Sequence, residues 1–398
     1  MPLPAWLEQR LLQAGGSTPF RTYMEWVLHD PEHGAYGAGR LSIGPRGDFA
    51  TAPSLGPDFA ALLAPQIARW LQELPSGPLS LVEAGPGEGS LAAQLAEELM
   101  VGWPQLAERL ELVLVEPNAG MAARQRQRLE GCPLPVRWSG FAEMAAAPLT
   151  GVVLAHEVLD ALAVERIERS GTHWCRQQVT LRKGTLRLEP GEPLEPEDGA
   201  RLEPLGLLPL DQRRPEGWCS ELHPGLAPWM AGCGAALAQG RLLVIDYALE
   251  AWRYYAPQRS NGTLMAYRAQ QASSDPLLQP GEWDLTAHLC LESVLEAAAA
   301  AGWQVLGQTR QGEALLALGL AQRLHGLQQQ PAGGAAEGDR SVGPQDLAEL
   351  LARREALLRL VDPVALGDFR WLAFSRGEAA SALASGADLF LQDPGKGT

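Results

Sequence analysis

Positive charge is scarce in this chain: 32 lysines and arginines stand against 47 acids in 398 residues, for a formal net charge of −15. Binding to a phosphate backbone needs clustered cations, so nucleic acid is excluded as the main partner. Long apolar runs are also missing. None approaches the ~20 residues that cross a bilayer, and the opening "MPLPAWLEQRLLQAGG" has an early acid and no signal-like core. A cytoplasmic protein with no membrane insertion is expected. Cysteine is sparse, and Cys132, Cys175, Cys219, Cys233 and Cys290 are widely spaced with no Cys-x-x-Cys pair. That pattern predicts reduced, packed thiols. In "HDPEH", His29 and His33 are four apart, but Pro31 disfavours a helix through them and no third ligand follows. The segment reads as a solvated turn, and no metal is assigned.

What is present is an α/β pattern. "LSLVE", "LELVLVE", "LPVRW", "GVVLA", "RLLVID" and "WQVLGQ" are short β-prone runs separated by helical stretches, as in a parallel sheet covered on both faces. Before them, "PFRTYMEWVLHD" and "PDFAALLAPQIARWLQEL" carry apolar residues at helical spacing and frame the glycine-rich connection "HGAYGAGRLSIGPRGDFATAPS". Long ordered loops of this kind tend to be functional. The alternation pauses between Val164 and Gly240, where hairpin-like "HWCRQQVTLRKGTLRLEPGEP" precedes a Pro- and Glu-rich stretch and a helix near Leu226 to Leu237. The expected organisation is an N-terminal helical region with a lid loop (1–75), the first half of a core (76–164), an inserted recognition region (165–240), the second half of the core (241–376) and a flexible tail (377–398).

"LSLVEAGPGEGSLAAQL" sets Gly85, Gly87 and Gly89, with Pro86 between the first two, at a strand-to-helix junction. Bare backbone there lets the chain turn sharply and lets a ligand approach it. A dinucleotide fingerprint needs glycine or alanine where Ser90 stands, so a nicotinamide-dependent oxidoreductase is disfavoured. Glu116, ending "LVLVE", suits the hydroxyls of a ribose but is compatible with either cofactor class. Glu83, two residues before the first glycine, adds more, because a negative group there suits a cationic ligand with an amino group and repels a pyrophosphate. The sum points to S-adenosylmethionine.

"GVVLAHEVLDALAVERI" runs a strand into His156, Glu157 and Asp160, the end of the sheet that meets a methyl acceptor. For a guanidinium acceptor, paired carboxylates would hold the planar fork and localise its charge on the nitrogens that do not react. One carboxylate would also accept the departing proton. Glu157 is the first candidate and Asp160 the second; the alternative is that these acids merely offset a helix dipole. Asp246 and Tyr247, ending "LLVIDYA", lie on the same edge as candidate substrate contacts. His288 in "DLTAHLC" is either one more or a packed histidine.

These segments, with "YMEWVLHDPEHGAYG", "GDFATAPS", "LVEPN", "GTLMAYR", "DPLLQPGEWDLTAHL" and "LGDFRWLAFSR", resemble the MidA family of S-adenosylmethionine-dependent methyltransferases, over residues from about 20 to 376. The resemblance implies a seven-stranded, mostly parallel Rossmann-like methyltransferase core with an N-terminal helical extension and an α+β insertion after the fourth strand. It also implies protein arginine as acceptor and a complex I-like dehydrogenase subunit as partner. It matches Gly85, Gly87, Gly89 and Glu116 to the cofactor motif, and Asp48, Phe49, Thr51 and Pro53 to a lid over the cofactor. Glu157 and Asp160 fall on the acidic motif. The chain departs from the family at His156 (usually Asn), Ala163 (Pro), Ser54 (Glu) and Cys290 (an acid), which leaves open a noncatalytic S-adenosylmethionine-binding assembly module.

Overall fold

A computed structural model describes residues 3–195, 198–329, 344–377 and 388–392. Its centre is a seven-stranded sheet: β1 (Leu79–Ala84), β2 (Leu110–Val115), β3 (Val136–Trp138), β4 (Leu149–His156), β5 (Leu237–Asp246), β6 (Gln304–Arg310) and β7 (Arg370–Arg376). The spatial order is β6-β7-β5-β4-β1-β2-β3. Strands β1 to β5 run parallel, and β7 runs antiparallel to both β5 and β6. The order reverses beside β1, so a crevice opens at the carboxyl ends of β1, β2 and β4, where an open α/β sheet takes its ligand.

The near-continuous apolar strands are explained by burial on both faces. Leu81, Leu112, Leu154 and Leu243 pack on one side with α2 (Asp58–Gln72) and α3 (Ser90–Gly102). Their neighbours Val82, Val113, Val153 and Val244 pack on the other with α5 (Leu226–Ala236) and α6 (Leu291–Ala300). Strand alternation thus feeds two cores from one sheet.

The inserted hairpin forms, with strands His173–Arg182 and Thr185–Pro193. Its sheet also takes Glu165–Ser170, Cys219–Leu222 and, from the N-terminal region, Ser17–Pro19. A third apolar cluster joins α1 (Phe20–His29), through Phe20, Met24 and Val27, to Val164 and Val179 of the insertion and to Leu264 and Leu285. Leu264 and Leu285 belong to a segment carrying the three-stranded sheet Met265–Arg268, Gln271–Ser273 and Asp284–Thr286. N-terminal region, insertion and this small sheet share one core over the crevice.

The tail expectation needs correction for residues 388–392; residues 378–387 and 393–398 lie outside the described set. Phe390 is 1% exposed and lies against Trp70 and Trp371, with ring centroids 5.7 and 5.5 Å away. Trp70 Nε1 donates to Asp388 (2.7 Å) and the Leu389 amide to Gln66 (2.6 Å). Burying an aromatic ring outweighs the frayed-end default. Phe390→Ala is expected to cost ~3–5 kcal/mol, read as a lower urea midpoint; an unchanged midpoint would mean that the ring is not buried in solution.

Candidate functional site

The crevice is a cleft of about 620 Å³, within the range of cofactor sites. Glu83, Gly85, Pro86, Gly87, Glu116, Phe49, Thr51, Pro53, His156 and Glu157 all line it, so ten of the residues singled out from sequence meet in one place. Gly89, Asp48, Asp160, Asp246, Tyr247 and His288 do not line it.

The glycine turn is shaped by crowding. Gly85 has φ +61°, and a Cβ there would stand 2.3 Å from Val158 Cγ2; Gly87 has φ +53°, and its Cβ would stand 2.7 Å from Ile43 Cδ1. Both positions disfavour side chains by backbone conformation, and Gly85 by space as well, since its Cβ would also stand 2.8 Å from Val158 Cβ. Gly89 sits one step back, as the N-cap of α3.

Glu116 is held in place. Its Oε1 accepts from the Asn118 amide (2.8 Å) and Asn118 Nδ2 (3.0 Å), and its Oε2 from Gln125 Nε2 (2.9 Å). Gln125 Nε2 also donates to the Gly87 carbonyl (2.8 Å), which ties the strand-end acid to the turn. Sequence reasoning missed Gln125, although a glutamine in the buried Met121–Ala122–Gln125 stripe of α4 (Ala119–Arg128) was a signal. Glu83 is 4% exposed, and its Oε2 has no hydrogen-bond partner. Burial pushes its carboxyl up to about 8. A buried acid of this kind favours a cation beside it.

The acids after β4 are organised by a turn, not a helix. Residues 157–164 contain no helix, so the dipole alternative fails. Glu157 adopts φ +51°, a conformation that costs a non-glycine residue of order 1–3 kcal/mol and that clusters at functional sites. Asp246 sustains the turn: its carboxylate accepts from the amides of Leu159 (3.0 Å), Asp160 (3.2 Å) and Tyr247 (2.8 Å). Asp246 is thus a brace at the end of β5, spent on backbone. Asp160 is 7% exposed and does not line the cleft. Tyr247 stacks on His288 (5.1 Å) and meets Phe369 edge-on (3.9 Å).

The Ala52 amide of the lid loop lies within electrostatic reach of Glu157 and eases its ionisation. Burial and the charges of Asp160, Asp246 and Asp284 hold its carboxyl well above the usual range. His156 Nε2 lies 3.4 Å from Glu157 Oε1, but burial pushes the imidazole down to about 3 and keeps it neutral. Among the described residues, no lysine or arginine is ion-paired with Glu83, Glu116, Glu157, Asp160, Asp246 or Asp284.

The lid loop is fastened at both ends. Asp48 accepts from the amides of Ser42 (2.8 Å) and Ala269 (2.9 Å), clasping the loop to the small sheet; it does not reach the cleft. Thr51 and Ser54 close a short turn, with the Thr51 amide donating to Ser54 Oγ (2.9 Å). His29 corrects the solvated-turn reading: it ends α1 and lines the cleft, while His33 stacks on Trp6 outside it. Glu25, Tyr36, Met121, Phe141 and Trp229 also line the cleft and were not singled out from sequence.

With this geometry in view, comparison with known proteins is decisive. Residues 62–309 match the family described as S-adenosyl-L-methionine-dependent methyltransferases. The chain belongs to that family. A crystal structure from Burkholderia thailandensis bound to S-adenosyl-homocysteine is 31% identical, covers 98% of this chain and 94% of that one, and has a TM-score of 0.81. The mitochondrial protein arginine methyltransferase NDUFAF7 of Homo sapiens is 26% identical over 187 residues, 41% of this chain and 42% of that protein. The Drosophila melanogaster homolog is 30% identical over 185 residues, 42% and 41% of the two chains. The alignments span under half the length of these curated relatives. The residues present fit S-adenosylmethionine: Glu83 offers an orphaned carboxylate oxygen, Gly85 and Gly87 bring bare backbone to the cleft wall, and Glu116 is an acid held at the end of β2 beside them.

Glu116→Ala and Gly85→Ala are each expected to weaken S-adenosylhomocysteine binding at least about tenfold, the loss of a charged hydrogen bond or of the bare backbone. Calorimetric titration checks this, and unchanged affinity in both variants would remove the cleft as the cofactor site.

Proposed function

We propose that the chain is a protein arginine N-methyltransferase that acts in the cytoplasm on a subunit of a complex I-like NAD(P)H dehydrogenase during assembly. The observation that carries the acceptor class is Glu157, a buried carboxyl that lines the cleft just past β4 with no lysine or arginine ion-paired to it among the described residues. The curated relatives named as protein arginine methyltransferases support the same class. Five unpaired cysteines agree with a reducing compartment.

When bound, S-adenosylmethionine supplies an electrophilic methyl on a positive sulfur. The chain's residues do the rest. Gly85, Gly87 and Glu116 fix the donor's position, which matters because displacement is in-line and alignment contributes ~7–11 kcal/mol. Glu157 is assigned to hold the acceptor guanidinium, draw its charge onto the nitrogens that do not react, and take the proton released at the methylated nitrogen. Asp160 raises the affinity of Glu157 for that proton through charge, and Asp246 holds the turn in register. Phe49, Thr51 and Pro53 of the lid loop exclude water over the donor.

Glu157→Gln is expected to lower methyl transfer by about 10²–10⁴-fold, with S-adenosylhomocysteine affinity changed only slightly. Tritiated S-adenosylmethionine and cell extract provide the assay, with methylarginine read in the hydrolysate. Equal labelling by the variant would reject the role given to Glu157.

A further inference from the structure

The last residue of β4 and the first residue beyond it, His156 and Glu157, set a base against an acid inside the cleft wall. Both line the cleft. Their side chains are 6% and 13% exposed, and Nε2 of the imidazole stands 3.4 Å from Oε1 of the carboxyl. Both atoms are buried without a hydrogen-bond partner among the described residues. The surrounding elements hold them there. Phe59 of α2 closes on the imidazole with ring centroids 5.3 Å apart, His156 is paired with Ile245 of β5, and the Glu157 amide donates to the Ile245 carbonyl (2.8 Å).

A bare imidazole nitrogen and a carboxylate oxygen both carry lone pairs. Facing each other in a dry wall they repel, whereas one proton between them turns the contact into a hydrogen bond. That proton has two placements, on nitrogen or on oxygen. The groups around the pair decide between them: Asp160 in the same turn, Asp246 at the end of β5 and Asp284 in the small sheet all add negative charge, with the Tyr36 and Tyr247 hydroxyls also in reach. No lysine or arginine lines the cleft among the described residues. A carboxyl in that company keeps a proton, while burial keeps the imidazole neutral. The proton therefore belongs on Oε1, and Nε2 is the bare nitrogen that receives it. At 3.4 Å the contact is long, as catalytic hydrogen bonds in empty sites often are before a ligand tightens them.

We propose that His156 is a positioning residue for Glu157, and that its bare Nε2 accepts the hydrogen bond of the O–H formed when Glu157 takes the proton released by methyl transfer. The proposal rests on the acceptor reading above and deepens it by giving that proton a resting place. In the step, a guanidinium nitrogen bonds the methyl carbon, the carbon–sulfur bond breaks with its pair left on sulfur, and the N–H pair returns to nitrogen as the proton passes to the carboxylate. Whichever carboxyl oxygen receives it, a half-turn of the group brings it to Nε2. The imidazole stays neutral throughout. A hydrogen bond to the protonated acid favours that form over the carboxylate, so Glu157 becomes the stronger base.

The test follows the Glu157 carboxyl by carbon NMR in the full chain, saturated with S-adenosylhomocysteine and carrying carboxyl-labelled glutamate; the signal missing from Glu157→Gln identifies it. His156→Leu is expected to lower its titration midpoint by about one pH unit, the tenfold worth of one hydrogen bond. His156→Gln, whose amide oxygen accepts in place of Nε2, is expected to keep most of the wild-type midpoint. A purely structural role predicts the opposite sign, because leucine makes the wall drier and burial alone raises a carboxyl. A midpoint that stays or rises in His156→Leu therefore overturns the proposal. Should that variant fail to fold, the wild type decides: nitrogen NMR of the imidazole is expected to show a bare Nε2, and a proton-bearing Nε2 overturns the assignment. Neither readout depends on methyl transfer. Undiminished transfer in Glu157→Gln is the separate result that removes the acceptor reading, and the catalytic use of this pair with it.

Discussion

Carboxylates buried without cations govern this molecule. Glu83 at the end of β1 and Glu157 just past β4 are both removed from water, and each keeps an oxygen without a hydrogen-bond partner among the described residues. Burial opposes ionisation in both. Such groups are unfavourable in an empty protein and become favourable when positive charge arrives. The cleft is therefore incomplete in charge, and a cationic donor together with a cationic acceptor completes it.

The fold maintains this arrangement by spending other polar groups on bracing. Asp246 uses its carboxylate on three amides so that the chain after β4 turns sharply with Glu157 at positive φ. Gln125 links the glycine turn to Glu116 and receives Trp138 Nε1 on its own oxygen (2.9 Å). Asp48 clasps the lid loop to the small sheet, and the Ala52 amide of that loop lies within electrostatic reach of Glu157. Donor side and acceptor side are thus connected through the loop that covers both.

Much of this was legible in the sequence, for identifiable reasons. Six of the seven strands showed as short β-prone runs between helices, a pattern that burial on both faces imposes on the central ones. The cofactor turn showed because glycines at a strand end have few other uses, and Glu83 and Glu116 because charge in such runs is costly. The direction of β7 had no local signature. Asp160 and Asp246 were assigned to the cleft because they follow strand ends, whereas neither lines it and Asp246 is held by three backbone amides, which only the tertiary structure reveals. Tyr36 and His29 acquire meaning only when distant segments meet, so no spacing rule reaches them. Phe390 was hidden in a small-residue tail where one aromatic was the sole hint.

The most direct test of the charge-deficient cleft is a proton count during binding. Calorimetry of S-adenosylmethionine binding near pH 7, repeated in buffers of different ionisation enthalpy, gives the number of protons exchanged. With its pKa at about 8, Glu83 carries a proton in the free protein at that pH, and a cation beside it lowers that pKa and expels the proton. Release of roughly one proton, absent in Glu83→Gln, is the expected result. Zero exchange or proton uptake in the wild type would contradict the claim that the ligand's positive charge is what the cleft is built to receive.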